Sequence, residues 1–306
     1  MTQEKPIATT EPQALSRGMW LRLALLVGAV LFLHWHTLTL LVTRWYHEPD
    51  YTYGFFVPLV SLYLVWMKRE KLLRAENRPS LWGAPVVAGA LLLQFGGTVA
   101  NIGYFQGVSL VILIAGLALL LGGRQLLLLL VFPIMYLWLM VPLPGAVYSA
   151  LAGPLQRLAS LGSVGILEVI GVPVYREGNV FRLAGISLEV AEACSGLRSL
   201  IGLLSMGILL GYLITDKLWE RIVLALSTIV IAVVANILRV AGTGILYEYA
   251  GPKYGQGFYH GFGAWIVFVI ALAVLFVEAS LLSALFIEEQ PVSAESADGG
   301  EEQEKS

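Results

Sequence analysis

Charge is what this chain has least of: Asp, Glu, Lys and Arg make up 13% of its 306 residues, against 58% hydrophobic. A water-soluble domain could not cover its surface with so few polar groups, so a soluble fold is excluded. Cysteine is scarcer still. Cys194 stands alone, which excludes an intramolecular disulfide framework and a cysteine-cluster metal site. The 19 Lys and Arg are offset by 21 Asp and Glu, so no basic excess points to nucleic acid. Histidines number four, and His34 and His36 fall on different helix faces while His47 follows later, so no metal-ligand pair forms and these three carry no assigned role. No metal or other cofactor is expected.

Long apolar runs are what the chain does have. Crossing a bilayer core of about 30 Å takes roughly 20 apolar residues, and their backbone must bond to itself as helix. Runs at 19–42, 54–67, 82–101, 105–122, 125–141, 195–215, 222–247 and 259–286 predict an all-α integral membrane protein with about eight transmembrane helices. The second run is short and contains Pro58, which suits a kinked or angled entry. Residues 154–171 place Leu155, Leu158, Leu161 or Gly162, and Gly165 on one side, with Gln156, Arg157 and Ser160 elsewhere; this predicts an amphipathic helix lying in the interface. Alternating stretches at 180–183 and 186–190, set around Gly178-Asn179 and Ala184-Gly185, predict a small β-hairpin or meander resting on the membrane. One membrane domain, 19–287, is thus flanked by a polar cytoplasmic tail, 1–18, and an acidic disordered cytoplasmic tail, 288–306.

Basic residues in short loops orient such a protein. Arg17 and Arg22, the group Lys68, Arg69, Lys71, Arg74 and Arg78, then Arg124, and finally Lys217 and Arg221 all fall on one side of an eight-helix arrangement, the cytoplasmic one. Residues 43–53, 102–104, 142–193 and 248–258 face the other way.

Three stretches carry the chemistry. In VAEACSGLRSL, Cys194 or Ser195 caps a helix, where unpaired backbone N–H groups favour a thiolate, and Arg198 follows one turn on. Cys194 also suits the plainer role of a small buried hydrophobe. In ANILRV, Asn236 and Arg239 share a helix face and suggest a lined pocket, the other reading being an arginine that snorkels to the outer interface. His260, in YHGFG, titrates near neutrality or is simply an interfacial residue. The orientation puts Cys194, Arg239 and His260 on the outward ends of three consecutive helices, and a nucleophile, an oxyanion-stabilising cation and a proton carrier are the parts of cysteine acyl transfer. A non-catalytic transporter or polysaccharide-export protein with Arg239 and Asn236 along its path is the competing reading, and a serine protease using Ser195 with His260 is a third.

AEACSGLRSL, ANILRV and the HG of YHGFG, in that order on successive helices, resemble the exosortase and archaeosortase family. The resemblance implies that Cys194 forms a thioester with a peptide carbonyl, that Arg239 stabilises the tetrahedral intermediate and that His260 acts as acid and base. It leaves Ser195, Arg198 and Asn236 as supporting or substrate-binding residues. It also implies an inner-membrane location with the site facing the periplasm. The implied partners are membrane lipid and C-terminal sorting-signal peptides, typically a Pro-Glu-Pro type motif, a membrane helix and a basic cluster, in systems that accompany exopolysaccharide and biofilm genes. DYTYGFFVPLVSLYLVW resembles the family's N-terminal signature, where a His-Gly pair is common; here Tyr53 precedes Gly54, so no histidine acts there.

An outward-facing, low-pKa thiol has a direct signature. An impermeant maleimide applied to intact cells is expected to label Cys194 at a rate that stays flat well below pH 8; no labelling at any pH would count against both the orientation and the activated thiol.

Overall fold

Apolar sequence that cannot bond its backbone to water turns helical, and the computed structural model of the chain is helical nearly throughout. It describes residues 17–76, 78–178, 180–183, 186–189, 196–251 and 259–285. In chain order the elements are α1 (Arg17–Leu33), α2 (Trp35–His47), a 3-10 segment (Pro49–Phe55), α3 (Phe56–Met67), α4 (Arg69–Arg74), α5 (Gly83–Val99) and α6 (Gly103–Tyr136), the last prolonged by a 3-10 turn (Leu137–Met140). Then come α7 (Gly145–Ile170), β1 (Tyr175–Glu177), β2 (Val180–Leu183), β3 (Ile186–Glu189), α8 (Gly196–Ile214), α9 (Leu218–Ala250) and α10 (Tyr259–Leu285).

The described helices confirm fewer than the expected eight spans. Three described runs are long and apolar enough to cross a membrane, Gly103–Met140, Leu218–Ala250 and Ile266–Ala284, and Ala24–Leu33 with Trp35–His47, bent by 69°, makes a fourth if taken as one span. Length is the reason. With 12 residues in α3 and 17 in α5, a rise of about 1.5 Å per residue yields roughly 18 and 26 Å, short of a core of about 30 Å. The expected helices at 105–122 and 125–141 are the two halves of α6. Gly123, at φ 75° and ψ −166°, interrupts it. The run then folds back on itself: a Cβ on Gly107 would lie 2.6 Å from Val141 Cγ1, and Trp138 Nε1 donates to Tyr104 Oη at 3.2 Å.

Polar side chains inside this half are spent on holding helices together. Gln94 Nε2 donates to Thr37 Oγ1 at 2.8 Å while Gln94 Oε1 accepts from Ser109 Oγ at 2.7 Å, which joins α2, α5 and α6. Pro133 has no N–H to offer the carbonyl of Leu129 one turn earlier. Lys68 Nζ supplies that donor at 2.6 Å, and Ser61 Oγ donates to the Pro133 carbonyl at 2.9 Å, so α3 fastens to the proline turn of α6. His34 sits fully buried at the α1–α2 break.

The amphipathic helix is present but longer than 154–171, and its buried side takes in Ser160 and Ser163 beside Ala159, Val164 and Leu167, while Arg157 is exposed. Ser160, expected away from the packed side, is 0% exposed and donates to the Gly178 carbonyl at 3.5 Å, whereas Leu158 and Leu161 are 51% and 48% exposed. Ser163 Oγ donates to the Ile237 carbonyl of α9 at 3.1 Å, and a Cβ on Gly162 would lie 2.7 Å from Ile237 Cδ1. Close approach needs small residues, and hydroxyls add interhelical bonds, as in membrane helix packing. The expected hairpin is a three-stranded antiparallel meander, β1-β2-β3, with Tyr175 opposite Arg182 and Phe181 opposite Leu188. Leu183 anchors it on Leu167 of α7 and on Val240 and Tyr247 of α9.

Helices α8, α9 and α10 form the second half. A Cβ on Gly207 would lie 2.4 Å from Thr228 Cγ2, and one on Gly211 would lie 3.3 Å from Arg221 Cα, so the small-residue strip of α8 is where α9 comes close. Leu203, Ala232 and Ala271 fill the centre of the trio.

A side chain at Gly123 is excluded twice, by its φ of 75° and by the Arg78 carbonyl oxygen, 1.8 Å from where a Cβ would stand. Gly123→Ala is expected to lower stability by about 1–3 kcal/mol or more. Thermal unfolding in detergent checks this, with Gly89→Ala, which has nothing within 4 Å of the new methyl, as the unaffected control.

Candidate active site

A pocket opens where α8, α9 and α10 meet, lined by Ser199 and Leu203, by Ala235, Asn236 and Arg239, and by Val267, Phe268 and Ala271. The helical repeat puts Asn236 and Arg239 one turn apart on the same face of α9. Arg239 Nη2 donates to Asn236 Oδ1 at 2.9 Å, and Asn236 is buried. Because Asn236 precedes Arg239 in the helix, the bond turns the guanidinium back along α9 toward the pocket. Thr243 Oγ1 donates to the Arg239 carbonyl at 2.9 Å, occupying its own hydroxyl within the helix. The guanidinium is a cation that presents a planar fork of donors. Set among Leu203, Phe268 and Ala271, it acts through poorly polarisable surroundings, where a positive charge stabilises an anion more strongly than in water. The arrangement suits an oxyanion or a carboxylate.

Of the six site residues expected from the sequence, Asn236 and Arg239 are the two whose side chains the structure brings together. Cys194 and Ser195 lie outside the described residues, immediately before the start of α8 at Gly196. Arg198 falls in the first turn of α8 and His260 in the first turn of α10, and their side chains lie outside the described residues as well. Val267 is seven residues after His260, about 10 Å along the helix. Ser199 was not singled out by sequence. Its only signal is its place one turn into the helix that follows Cys194, and a serine there is unremarkable until α9 and α10 are seen to close around it. Among the described residues no three His, Cys, Asp or Glu side chains gather as a metal ion would require.

The DYTYG block also reaches this half of the molecule. The Pro49–Phe55 segment packs against α8 and against the turn that ends α6. It is held from two directions: Tyr148 Oη of α7 donates to Asp50 Oδ2 at 2.5 Å, and the Trp45 ring, itself tied through Nε1 to the Met140 carbonyl at 2.9 Å, meets the Phe55 ring edge-on at 5.3 Å. Gly54 is obligatory here, since a Cβ would stand 2.4 Å from Trp45 Nε1. Burial, reinforced by Tyr51, Asp50 and Tyr148 nearby, pushes the Tyr53 hydroxyl well above the ordinary phenol range. Tyr53 therefore stays neutral and carries no titration near pH 7.

Replacing Asn236 by leucine keeps volume but removes the acceptor beside the guanidinium. Asn236→Leu is expected to cost roughly 1–3 kcal/mol, seen as a lower unfolding midpoint in detergent, with Asn236→Asp retaining the bond and most of the stability.

Comparison with known proteins bears on the same stretch of chain. Residues 45–277, which run from the end of α2 through the pocket and most of α10, match the family model described as transmembrane exosortase. No curated protein and no solved structure matches. The match takes in the DYTYG block, both halves of the bundle and every expected site residue, well over half of the sequence, and so the chain belongs to the transmembrane exosortase family.

Proposed function

We propose that this protein is a membrane-embedded cysteine peptidase or transpeptidase that cleaves the C-terminal sorting signal of exported proteins. The observation that carries the reading is the Arg239–Asn236 pair, held in a pocket between α8, which begins two residues after Cys194 in sequence, α9, which carries Arg239, and α10, which carries His260. In this reading the Cys194 thiolate attacks the carbonyl carbon of the scissile peptide bond, and the developing oxyanion is met by the Arg239 guanidinium. Asn236 holds that guanidinium in place, so its orientation is set before the substrate arrives. Collapse of the tetrahedral intermediate breaks the C–N bond, His260 gives its proton to the departing amine, and a thioester on Cys194 remains. Water or an amine then attacks the thioester and passes a proton to His260, which releases the carboxylate or amide product and restores the thiolate.

Substrate class and location follow from the same reading. The sorting signal arrives as the end of a protein still attached to the membrane, and the site opens to the periplasm from the bacterial inner membrane. Ser195 and Arg198 flank Cys194 in sequence and are assigned to substrate binding.

The test is co-expression with a candidate cargo and mass spectrometry of the cargo's new C-terminus. Cys194→Ala is expected to abolish processing at unchanged membrane abundance, and Cys194→Ser to fall with it. Full processing by Cys194→Ala would overturn the thiol mechanism. Arg239→Lys keeps the charge but loses the planar fork, and is expected to lower turnover by about 10²-fold; wild-type turnover in that variant would reduce Arg239 to a point charge.

A further inference from the structure

A carboxyl group that the mechanism does not use lies within the last spanning helix. Glu278 is the one Asp, Glu, Lys or Arg in the run Ile266–Ala284. Its Oε2 accepts a hydrogen bond from Ser227 Oγ of α9 at 2.7 Å. Serine lends a dipole and not a charge, and none of the salt bridges among the described residues reaches Glu278. Ionisable side chains inside a span are costly and characteristically pair or face a pathway.

The surface beside it is apolar and open. Ile270, Val274, Val277 and Leu281 recur at helical spacing on α10 and are 49–57% exposed, and Leu226 and Val230 of α9 are 59% and 64% exposed. Glu278 follows Val274 by four residues and precedes Leu281 by three, at the edge where α10 meets α9. We infer that this α9–α10 face docks the membrane helix of the substrate protein, with Glu278 pairing to a lysine or arginine near that helix's cytoplasmic end.

Charge complementarity selects this occupant. Single membrane helices carry their Lys and Arg at the cytoplasmic end. The basic residues Lys217 and Arg221 orient the start of α9, and hence the end of α10, to that side. Glu278 is six residues from the end of the Ile266–Ala284 run, about 9 Å, within reach of a long basic side chain one turn inside the interface. A second copy meeting the same face by two-fold symmetry would bring like charges together at Glu278. Lys68 and Arg221, which both stand over the Tyr212 ring, are already bonded to the carbonyls of Leu129 and Thr215. The face is also continuous with the site. Arg239 lies twelve residues beyond Ser227 on α9, about 18 Å, so a helix laid along this pair rises to the level of the pocket.

The inference rests on the proposed function for the identity of its occupant, and its test leaves the thiol out. In native membranes, the full chain with Cys194→Ala and Val274→Cys is co-expressed with a single-span Leu/Ala reporter. The reporter bears one cysteine at matching depth and Lys, Gln or Glu one turn inside its cytoplasmic end. Oxidative cross-linking is expected to favour the Lys reporter over the Gln reporter by roughly three- to tenfold. Glu278→Gln, which keeps the bond to Ser227, is expected to erase the difference, and Glu278→Lys to transfer the preference to the Glu reporter. Equal cross-linking of all three reporters would overturn docking by charge. Cross-links that join two copies of this chain and ignore the reporter would overturn it in favour of a self-interface. Either result leaves the peptidase reading standing, because no step of the assay uses Cys194. Unchanged membrane abundance and unfolding midpoint of Glu278→Gln separate lost docking from lost fold.

Discussion

An arginine within an apolar spanning helix costs about 2.5–3.5 kcal/mol to place near the centre on insertion scales, and the cost falls only if the surrounding helices supply polar partners or a wet cavity. Much of the second half of this molecule answers that constraint. Asn236, one turn away, accepts from the guanidinium, and both side chains project into the pocket between α8, α9 and α10. Small residues let α8 approach α9 closely at Gly207 and Gly211, and larger ones, Leu203 and Phe268, line the pocket. The same rule governs α7, whose Ser160 and Ser163 turn inward to carbonyl acceptors while Leu158 and Leu161 stay exposed.

The first half of the bundle works as a brace. Folding α6 back at Gly123 packs it against α5, α2 and α3, and several buried polar groups there have specific partners. Lys68 answers the carbonyl that Pro133 leaves open, and Trp45 answers Met140. Through the Asp50–Tyr148 bond and the packing of Pro49–Phe55 on α8, the brace extends to the helix that begins two residues after Cys194. This gives the DYTYG block a mechanical meaning. Gly54 is required by the Trp45 ring, and Tyr53 is packed beside it as a neutral phenol.

Much of this was legible in advance, and what was not has identifiable causes. Helix-period apolar runs marked nearly every helix, and the split between 105–122 and 125–141 was visible because Gly122-Gly123 and Arg124 interrupt an otherwise continuous run. The span count was not, because apolarity does not reveal that α3 and α5 stop short of a bilayer's thickness. The inward turn of Ser160 was not legible either, because amphipathicity separates it from the leucines without saying that small hydroxyls pack against neighbouring helices while Arg157 stays exposed. Ser199 and Glu278 were passed over because their significance lies in neighbours from other helices.

Sequence alone determined the solvent, the helical class and the shared face of Asn236 and Arg239, which depend on composition or on spacing within one helix, and the family resemblance, which depends on the order of three short motifs. Tertiary structure decided which long-range groups meet: α6 closing as a hairpin, Lys68 reaching the Leu129 carbonyl, Ser227 meeting Glu278, and Ser199 joining the arginine pocket. The physical reason is that helical periodicity places a side chain on a face, while the partner across that face is chosen by packing, through the small residues that permit approach and the polar groups that must be satisfied once water is gone.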